Sequence, residues 1–295
     1  MRKLFLKRKK DSHKNDYGKV LIIAGSYSPD DKSMLGATLL CSKAAIKTGV
    51  GICSFSFLMN LEGMNNAKKN IIGPLLLSEV PELIYEPIIS KNLFKKINDF
   101  NAVCIGPGIN VNASSKKILK KLLRNFRGRL LIDADGLNNL SKEKDSKKLK
   151  SEVLNRKYET VLTPHIGEAK KLFTENYEEE IKKAVTNNKK LIVVLKASMT
   201  KIFKKGEIKI HNKQNPALAT AGSGDVLAGI ITALLAEKSP TDFSAFEAAY
   251  FGVYIHGQAG KLAKEKFGER AVVASDIIDN IYKVFNTDKK NANSK

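Results

Sequence analysis

The sequence predicts an α/β protein organised around a mostly parallel, doubly wound sheet. Three observations carry this. Short aliphatic, β-branched runs alternate with longer stretches of helical periodicity, the pattern of repeated βαβ units. Glycine, proline and acidic residues cluster directly after several of the short runs. Hydrophobic residues make up 43% and charged residues 27% of the 295-residue chain, a balance that supports a sizeable core.

The elements follow in order. Strands are expected at 20–24, 52–57, 102–105, 130–133, 160–162 and 191–195, with helices near 33–48, 113–126 and 166–188 between them. In 113–126, Ile118, Leu119, Leu122, Leu123 and Phe126 form one apolar stripe, and Lys116, Lys117, Lys120, Lys121 and Arg124 cover the other side, as an amphipathic surface helix requires. Segments 201–203 and 207–211, separated by Lys204-Lys205-Gly206, read as a β-hairpin. Three helices near 223–236, 241–266 and 275–285 complete the chain. There is no internal repeat. A single domain over 13–286 is expected, with polar ends, 1–12 and 287–295, that fray.

Composition narrows the function classes. Residues 1–10 are charged and lack the apolar run of a signal peptide, so a cytoplasmic location is expected. Segment 217–236 carries Asp225 as its only charge and is long enough to span a bilayer. It contains Gly222-Ser223-Gly224-Asp225, however, and so reads as a turn feeding a buried helix. Cys41, Cys53 and Cys104 form no CxxC pair, which favours a reducing compartment over a disulfide framework. His13, His165, His211 and His256 show no metal-ligand spacing, and no structural metal is expected. The net charge of +21 is spread along the whole chain. That distribution fits a lysine-rich solvated surface better than a nucleic-acid footprint, and the positive field would still attract phosphorylated small molecules.

Five unusual motifs fall at the carboxyl ends of the expected strands: Gly25-Ser26, Gly106-Pro107-Gly108, Asp133-Ala134-Asp135, Thr163-Pro164-His165 and Lys196. In an open α/β sheet ligands bind along that edge, because loops and helix N-termini converge there. Thr220-Ala221-Gly222-Ser223-Gly224-Asp225 adds an anion cradle: small residues let N–H groups turn toward a phosphate, and the following helix contributes its dipole. Asp225, in the first helical turn, could take a proton from a hydroxyl attacking that phosphate, or could serve the helix terminus electrostatically. His165 has a structural reading or a role on phosphate or ribose. Asp133 and Asp135 lie two residues apart and point to one side; one could lean on Mg2+ through water or cap a helix starting near Leu137. Lys196 could contact nucleotide phosphates or simply solubilise its loop.

Taken in order, these motifs resemble the ADP- or ATP-dependent (S)-NAD(P)H-hydrate dehydratases of the ribokinase-like superfamily. The matching stretches are His13-Lys14-Asn15-Asp16-Tyr17-Gly18-Lys19-Val20, Ile23-Ala24-Gly25-Ser26, Gly36-Ala37 and Thr48-Gly49-Val50-Gly51. They continue through Ile105-Gly106-Pro107-Gly108, Asp133-Ala134-Asp135-Gly136-Leu137-Asn138, Leu162-Thr163-Pro164-His165 and Val194-Leu195-Lys196. They end with Ala219-Thr220-Ala221-Gly222-Ser223-Gly224-Asp225-Val226-Leu227-Ala228-Gly229 and Tyr254-Ile255-His256-Gly257.

The resemblance implies a three-layer α/β/α ribokinase-like fold. It also implies repair of hydrated NADH or NADPH (NADHX, NADPHX): the C6 hydroxyl is phosphorylated from ADP or ATP with Mg2+, and phosphate is then eliminated. By the same resemblance Ala37, Gly108, His165 and Asp225 would contact the hydrated dinucleotide, with Asp225 as base. Lys196, Ala197, Ser198, Met199, Thr200 and Gly224 would hold the nucleotide, and Gly222, Ser223 and Gly224 would form the anion hole. A homo-oligomer is implied too, as is functional partnership with a separate epimerase, since the chain leaves no room for a fused one.

The chain departs from the family pattern at Asn110 and Ala197, where glycine is usual, at Ile166, where proline is usual, and in a longer, more polar segment at 27–33. Two alternatives remain open at this stage: a small-molecule kinase on the same fold, acting on a hydroxymethylpyrimidine, hydroxyethylthiazole or sugar, and a non-catalytic RNA-binding protein using the basic surface.

Overall fold

A computed structural model of the chain describes residues 4, 8–28, 32–59, 66–88, 91–141, 144–211, 214–238 and 241–292. The chain begins with β1 (Lys19–Tyr27), α1 (Leu35–Thr48), β2 (Ile52–Met59), α2 (Asn66–Glu79), β3 (Ile84–Tyr85) and α3 (Lys91–Lys95). It continues with β4 (Ala102–Ile105), α4 (Ala113–Asn125), β5 (Arg129–Ile132), α5 (Asp135–Ser141), α6 (Lys144–Leu154), β6 (Thr160–Leu162), α7 (Ile166–Leu172) and α8 (Tyr177–Asn187). It closes with β7 (Leu191–Leu195), β8 (Thr200–Lys204), β9 (Glu207–His211), α9 (Ser223–Ala236), α10 (Ala245–Phe267) and α11 (Ala274–Ala292).

Among the described residues the strands form one sheet in the order β3-β2-β1-β4-β5-β6-β7-β8-β9. Pairing is parallel through β7 and antiparallel across β7, β8 and β9. From β1 the chain first builds outward through β2 and β3, then returns to β4 on the other side. The switch point therefore lies between β1 and β4, where an open sheet leaves a crevice for ligands.

Alternation along each strand feeds two cores. Val20, Ile22 and Ala24 of β1 face one cluster with residues of α1, α9, α10 and α11. Leu21 and Ile23 face the other, with residues of α4 to α8. This is the period-2 geometry of a strand buried on both faces.

Helix α9 is buried almost all round, from Val226 to Ala236, because it is wedged between α1 and α10. Gly229 permits the approach to α1: a Cβ there would sit 2.1 Å from the Cys41 carbonyl oxygen. Gly229→Ala is expected to cost about 2 kcal/mol or more, because overpacking a fixed backbone contact forces the helices apart. Gly36→Ala in α1, where a Cβ meets nothing within 4 Å, serves as the control and should be neutral or slightly stabilising. Thermal melts of the two variants check this.

The expected strands at 102–105, 160–162 and 191–195 and the helix at 223–236 match the observed elements. The expected single helix over 166–188 is two helices. Phe173 donates to the Ala169 carbonyl as α7 ends, Thr174 takes φ 138°, and the Thr174 hydroxyl donates to Glu180 at 2.5 Å. The hairpin turn is shorter than expected, since Lys204 belongs to β8 and pairs with Glu207. Of the polar segment 27–33, residues 29–31 lie outside the described residues.

At the ends, Leu4 is buried, the Arg8 guanidinium stacks on Tyr17 at 3.7 Å and α11 runs on to Ala292. Residues 1–3, 5–7 and 293–295 lie outside the described residues. All three cysteines are buried free thiols. Among the described residues no helix is long and apolar enough to cross a membrane.

Candidate active site

The carboxyl edge of the sheet collects the motifs in two groups. At the switch point, Gly25 donates its N–H to the Pro107 carbonyl at 2.7 Å, tying the ends of β1 and β4 together. Gly108 adopts φ +64°, and a Cβ on it would come within 3.0 Å of Met34 and 3.1 Å of Ala37. Only glycine combines that left-handed backbone with so close an approach, so Ala37 and Gly108 meet at the start of α1. Asn110 also has φ +64°, which explains the usual glycine; asparagine tolerates this region better than most residues. Its N–H donates to Asp135 at 3.0 Å and its amide to the Ser26 hydroxyl at 3.0 Å.

The second group surrounds α9. Lys196, at the end of β7, ion-pairs with Asp133 at 2.6 Å. The Asp133 side chain is only 2% exposed, and the intervening Ala134 is held at φ +46°, a strained backbone of the kind that clusters at functional sites. Burial alone would lower the Lys196 pKa, but the carboxylates of Asp133, Glu168 and Asp225 outweigh it and hold the ammonium above its ordinary value. Gly222, at φ 83°, caps α9 and places Asp225 in its first turn. Burial, reinforced by Asp133 and Asp135 and opposed by Lys196, pushes the Asp225 carboxyl up to about 7. A carboxylate balanced near neutrality is suited to general-base work.

His165 caps α7. Its Nδ1 accepts from the amides of Gly167 at 2.9 Å and Glu168 at 3.3 Å, while Glu168 accepts from the His165 N–H at 2.9 Å. Because Nδ1 is an acceptor, the neutral ring carries its proton on Nε2, on a side chain that is 57% exposed. The structural and ligand-binding readings of His165 are thus compatible. A backbone bridge links His165 to Lys196. Burial raises the pKa of Glu168, with Lys196 opposing and Asp133 adding to it. Ile166, where proline is usual, occupies the first helical position, whose N–H has no intrahelical partner in either case.

A cleft of about 750 Å3 opens beside the start of α9, lined by His165, Lys196, Ala197, Ser198, Thr200, Thr220, Ser223 and Gly224 among others. The expected nucleotide residues are thereby brought together except Met199, whose side chain is 45% exposed and lies outside the lining. Ala37 and Gly108 belong to the switch-point group, outside this cleft. Ala197 does not have positive φ, so alanine in the usual glycine position carries no backbone strain.

Of the expected anion-hole residues, Ser223 has its N–H committed to the Thr220 carbonyl at 3.2 Å. Gly224 and Asp225 lie in the first turn of α9, where backbone N–H groups have no intrahelical partner. Asp135 begins α5 rather than capping a later helix start, and its Oδ2 accepts from Asn110. Sequence reasoning assigned no role to Leu218, Val253, His256 and Gly257, which also line the cleft; for His256 and Gly257 the signal was the Tyr254-Ile255-His256-Gly257 motif. Among the described residues no group of three or more His, Cys, Asp or Glu could hold a metal ion.

The fold is the ribokinase-like α/β fold, with the start of α9 at the carboxyl edge of the sheet. The model of the Carb_kinase family, NAD(P)H-hydrate dehydratase, matches residues 20–283, and the chain belongs to that family. The chain spans about half the length of the first curated relatives it matches; it is 31% identical over 290 residues to the bifunctional NAD(P)H-hydrate repair enzyme Nnr of Thermofilum pendens, covering 92% of this chain and 50% of that protein. It is 28% identical to the ADP-dependent (S)-NAD(P)H-hydrate dehydratase of Listeria monocytogenes, across 97% of this chain and 95% of the relative. The ADP/ATP-dependent NAD(P)H-hydrate dehydratase of Bacillus subtilis, co-crystallised with ATP/Mg2+, superposes with a TM-score of 0.71 at 27% identity, over 96% of this chain and 95% of that one.

Proposed function

We propose that this protein dehydrates the S form of hydrated NADH and NADPH at the expense of ADP or ATP. The observation that carries the reading is Asp225: a carboxyl poised at about 7, in the first turn of α9, beside a cleft lined by Lys196 and Gly224. In this reading Ala37, Gly108 and His165 hold the hydrated dinucleotide. Lys196, Ala197, Ser198 and Thr200 hold the nucleotide, with Met199 contributing backbone only, and the amides of Gly224 and Asp225 receive the transferred phosphoryl group.

Asp225 takes the proton from the C6 hydroxyl as its oxygen attacks the terminal phosphorus, and the bond to the departing AMP or ADP breaks. Phosphate then leaves C6 while the neighbouring ring carbon gives up its proton, restoring the double bond of the dihydropyridine. Phosphate is a far better leaving group than hydroxide, which makes an otherwise sluggish dehydration fast. Mg2+ fits only as an ion carried by the nucleotide: Asp133 is engaged by Lys196 and Asp135 by Asn110, so neither belongs to a preformed ligand shell. Bound there, it would neutralise phosphate charge.

The bifunctional relatives motivate a separate epimerase as functional partner, supplying the S form from its epimer. A cytoplasmic homo-oligomer completes the proposal. The test is product stoichiometry with purified hydrated NADH. One phosphate and one AMP (from ADP) or ADP (from ATP) are expected per NADH restored. Accumulation of a stable phosphorylated product would favour a small-molecule kinase instead.

A further inference from the structure

The Ser223 main chain and side chain are both engaged inside the anion site, and the second engagement has no role in the chemistry above. The Ser223 N–H is held by Thr220, so any contribution of this residue to an anion must come through its hydroxyl. That hydroxyl lies 3.0 Å from Nε2 of His256, and both residues are buried where α9 and α10 pack together. Both also line the cleft proposed to hold the nucleotide. Burial, helped by Lys196 and His211 and opposed by a hydrogen bond to the Ser223 backbone, lowers His256 to about 4, so the ring is neutral and carries one N–H at physiological pH.

Two arrangements are possible for a neutral imidazole against a hydroxyl. If Ser223 donates to Nε2, its proton is spent inside the protein. If Nε2–H donates to Ser223 Oγ, the hydroxyl proton is free to turn toward the cleft. A site that gathers Lys196, the dipole of α9 and the free amides of Gly224 and Asp225 favours the second when an anion arrives, because the hydroxyl then adds one more donor.

We propose that His256 is a positioning residue that donates from Nε2 to Ser223 Oγ and thereby aims the Ser223 hydroxyl at a phosphate of the bound nucleoside di- or triphosphate. The inference rests on the proposed function, which supplies the nucleotide. It adds a side-chain donor to an anion hole otherwise made of backbone, and it gives the buried histidine of α10 a task in a site 33 residues away in sequence.

The test is ADP and ATP affinity by calorimetry, alongside kcat and KM, for Ser223→Ala, Ser223→Thr, His256→Leu and His256→Gln. Ser223→Ala should weaken nucleotide binding by roughly tenfold to a hundredfold, the range for one hydrogen bond to a charged group, and Ser223→Thr should retain binding. His256→Leu should lose a similar factor, and His256→Gln, whose side-chain amide can donate from the place of Nε2, should recover much of it. Ser223→Ala combined with His256→Leu should lose little more than either alone, since both remove the same donor. Melting curves show whether each variant folds, and the Ser223 pair alone decides the matter if the His256 variants do not.

Unchanged affinity in Ser223→Ala would overturn the inference, and so would fully additive losses in the double variant. If wild type bound neither ADP nor ATP, the proposed function would fall and this inference with it. Wild-type binding with a silent Ser223→Ala overturns the inference alone.

Discussion

Asp225→Asn is expected to lower kcat by about a thousandfold, within the range for losing a positioned general base, while leaving nucleotide affinity nearly intact and making the protein more stable above neutral pH. The two effects have one cause. The folded protein keeps the Asp225 carboxyl protonated up to about 7, because the group is buried and has Asp133 and Asp135 for neighbours. The unfolded chain releases that proton at an ordinary aspartate value. Stability associated with the protonated form is fully present below the unfolded value and is lost as pH rises through the folded one. The variant does not carry this penalty. Its melting temperature should therefore match wild type near pH 3.5, below the ordinary aspartate value of about 3.9, draw ahead as pH rises, and hold a constant lead above about 7. Wild-type kcat/KM should fall with an apparent pKa near 7 on the acid side, since kcat/KM reports the free enzyme. A variant as labile as wild type at pH 8, or activity persisting in it, would contradict the assignment of Asp225.

The second large effect concerns Lys196. Lys196→Met leaves Asp133, only 2% exposed, without its cation. Breaking a buried pair in this way costs about 3–5 kcal/mol, and the lower end applies here because the Lys196 side chain is 20% exposed. Nucleotide affinity should fall as well, because the ammonium lies at the mouth of the anion site. Lys196 also opposes the rise in the Asp225 pKa, so the residual activity should have its acid limb shifted to higher pH. Asp133→Asn combined with Lys196→Met should recover most of the stability without recovering nucleotide affinity. That outcome separates the structural role of the pair from the binding role of the lysine, and thermal denaturation with nucleotide titration measures both.

The elements around this chemistry differ in how legible they are from sequence. Asp225, Lys196, Asp133 and His165 stand out because each interrupts an apolar strand or opens a helix with residues that propensity does not favour there. Strands β4, β6 and β7 are short, fully buried runs with clear edges. The region between β2 and β4 is obscure for physical reasons: α2 carries Pro74 inside it, β3 is two residues long, and α3 is little more than one turn. The break between α7 and α8 depends on a threonine at positive φ, a conformation that sequence gives no reason to expect. His256 is hidden in another way. It lies within the long apolar pattern of α10, where a histidine reads as core, and only the packing of α10 on α9 brings it to Ser223. Met199 differs from its neighbours in the motif: it is exposed and stands outside the cleft lining.

The most direct test of the account is return of the near-ultraviolet absorbance of the dihydronicotinamide from purified S-hydrated NADH and NADPH, with ADP and ATP supplied separately in the presence of Mg2+. Nucleotide-dependent recovery by wild type, lost in Asp225→Asn, is the predicted result and also identifies the donor. Folded wild-type protein that restores no absorbance with either nucleotide would contradict the central claim.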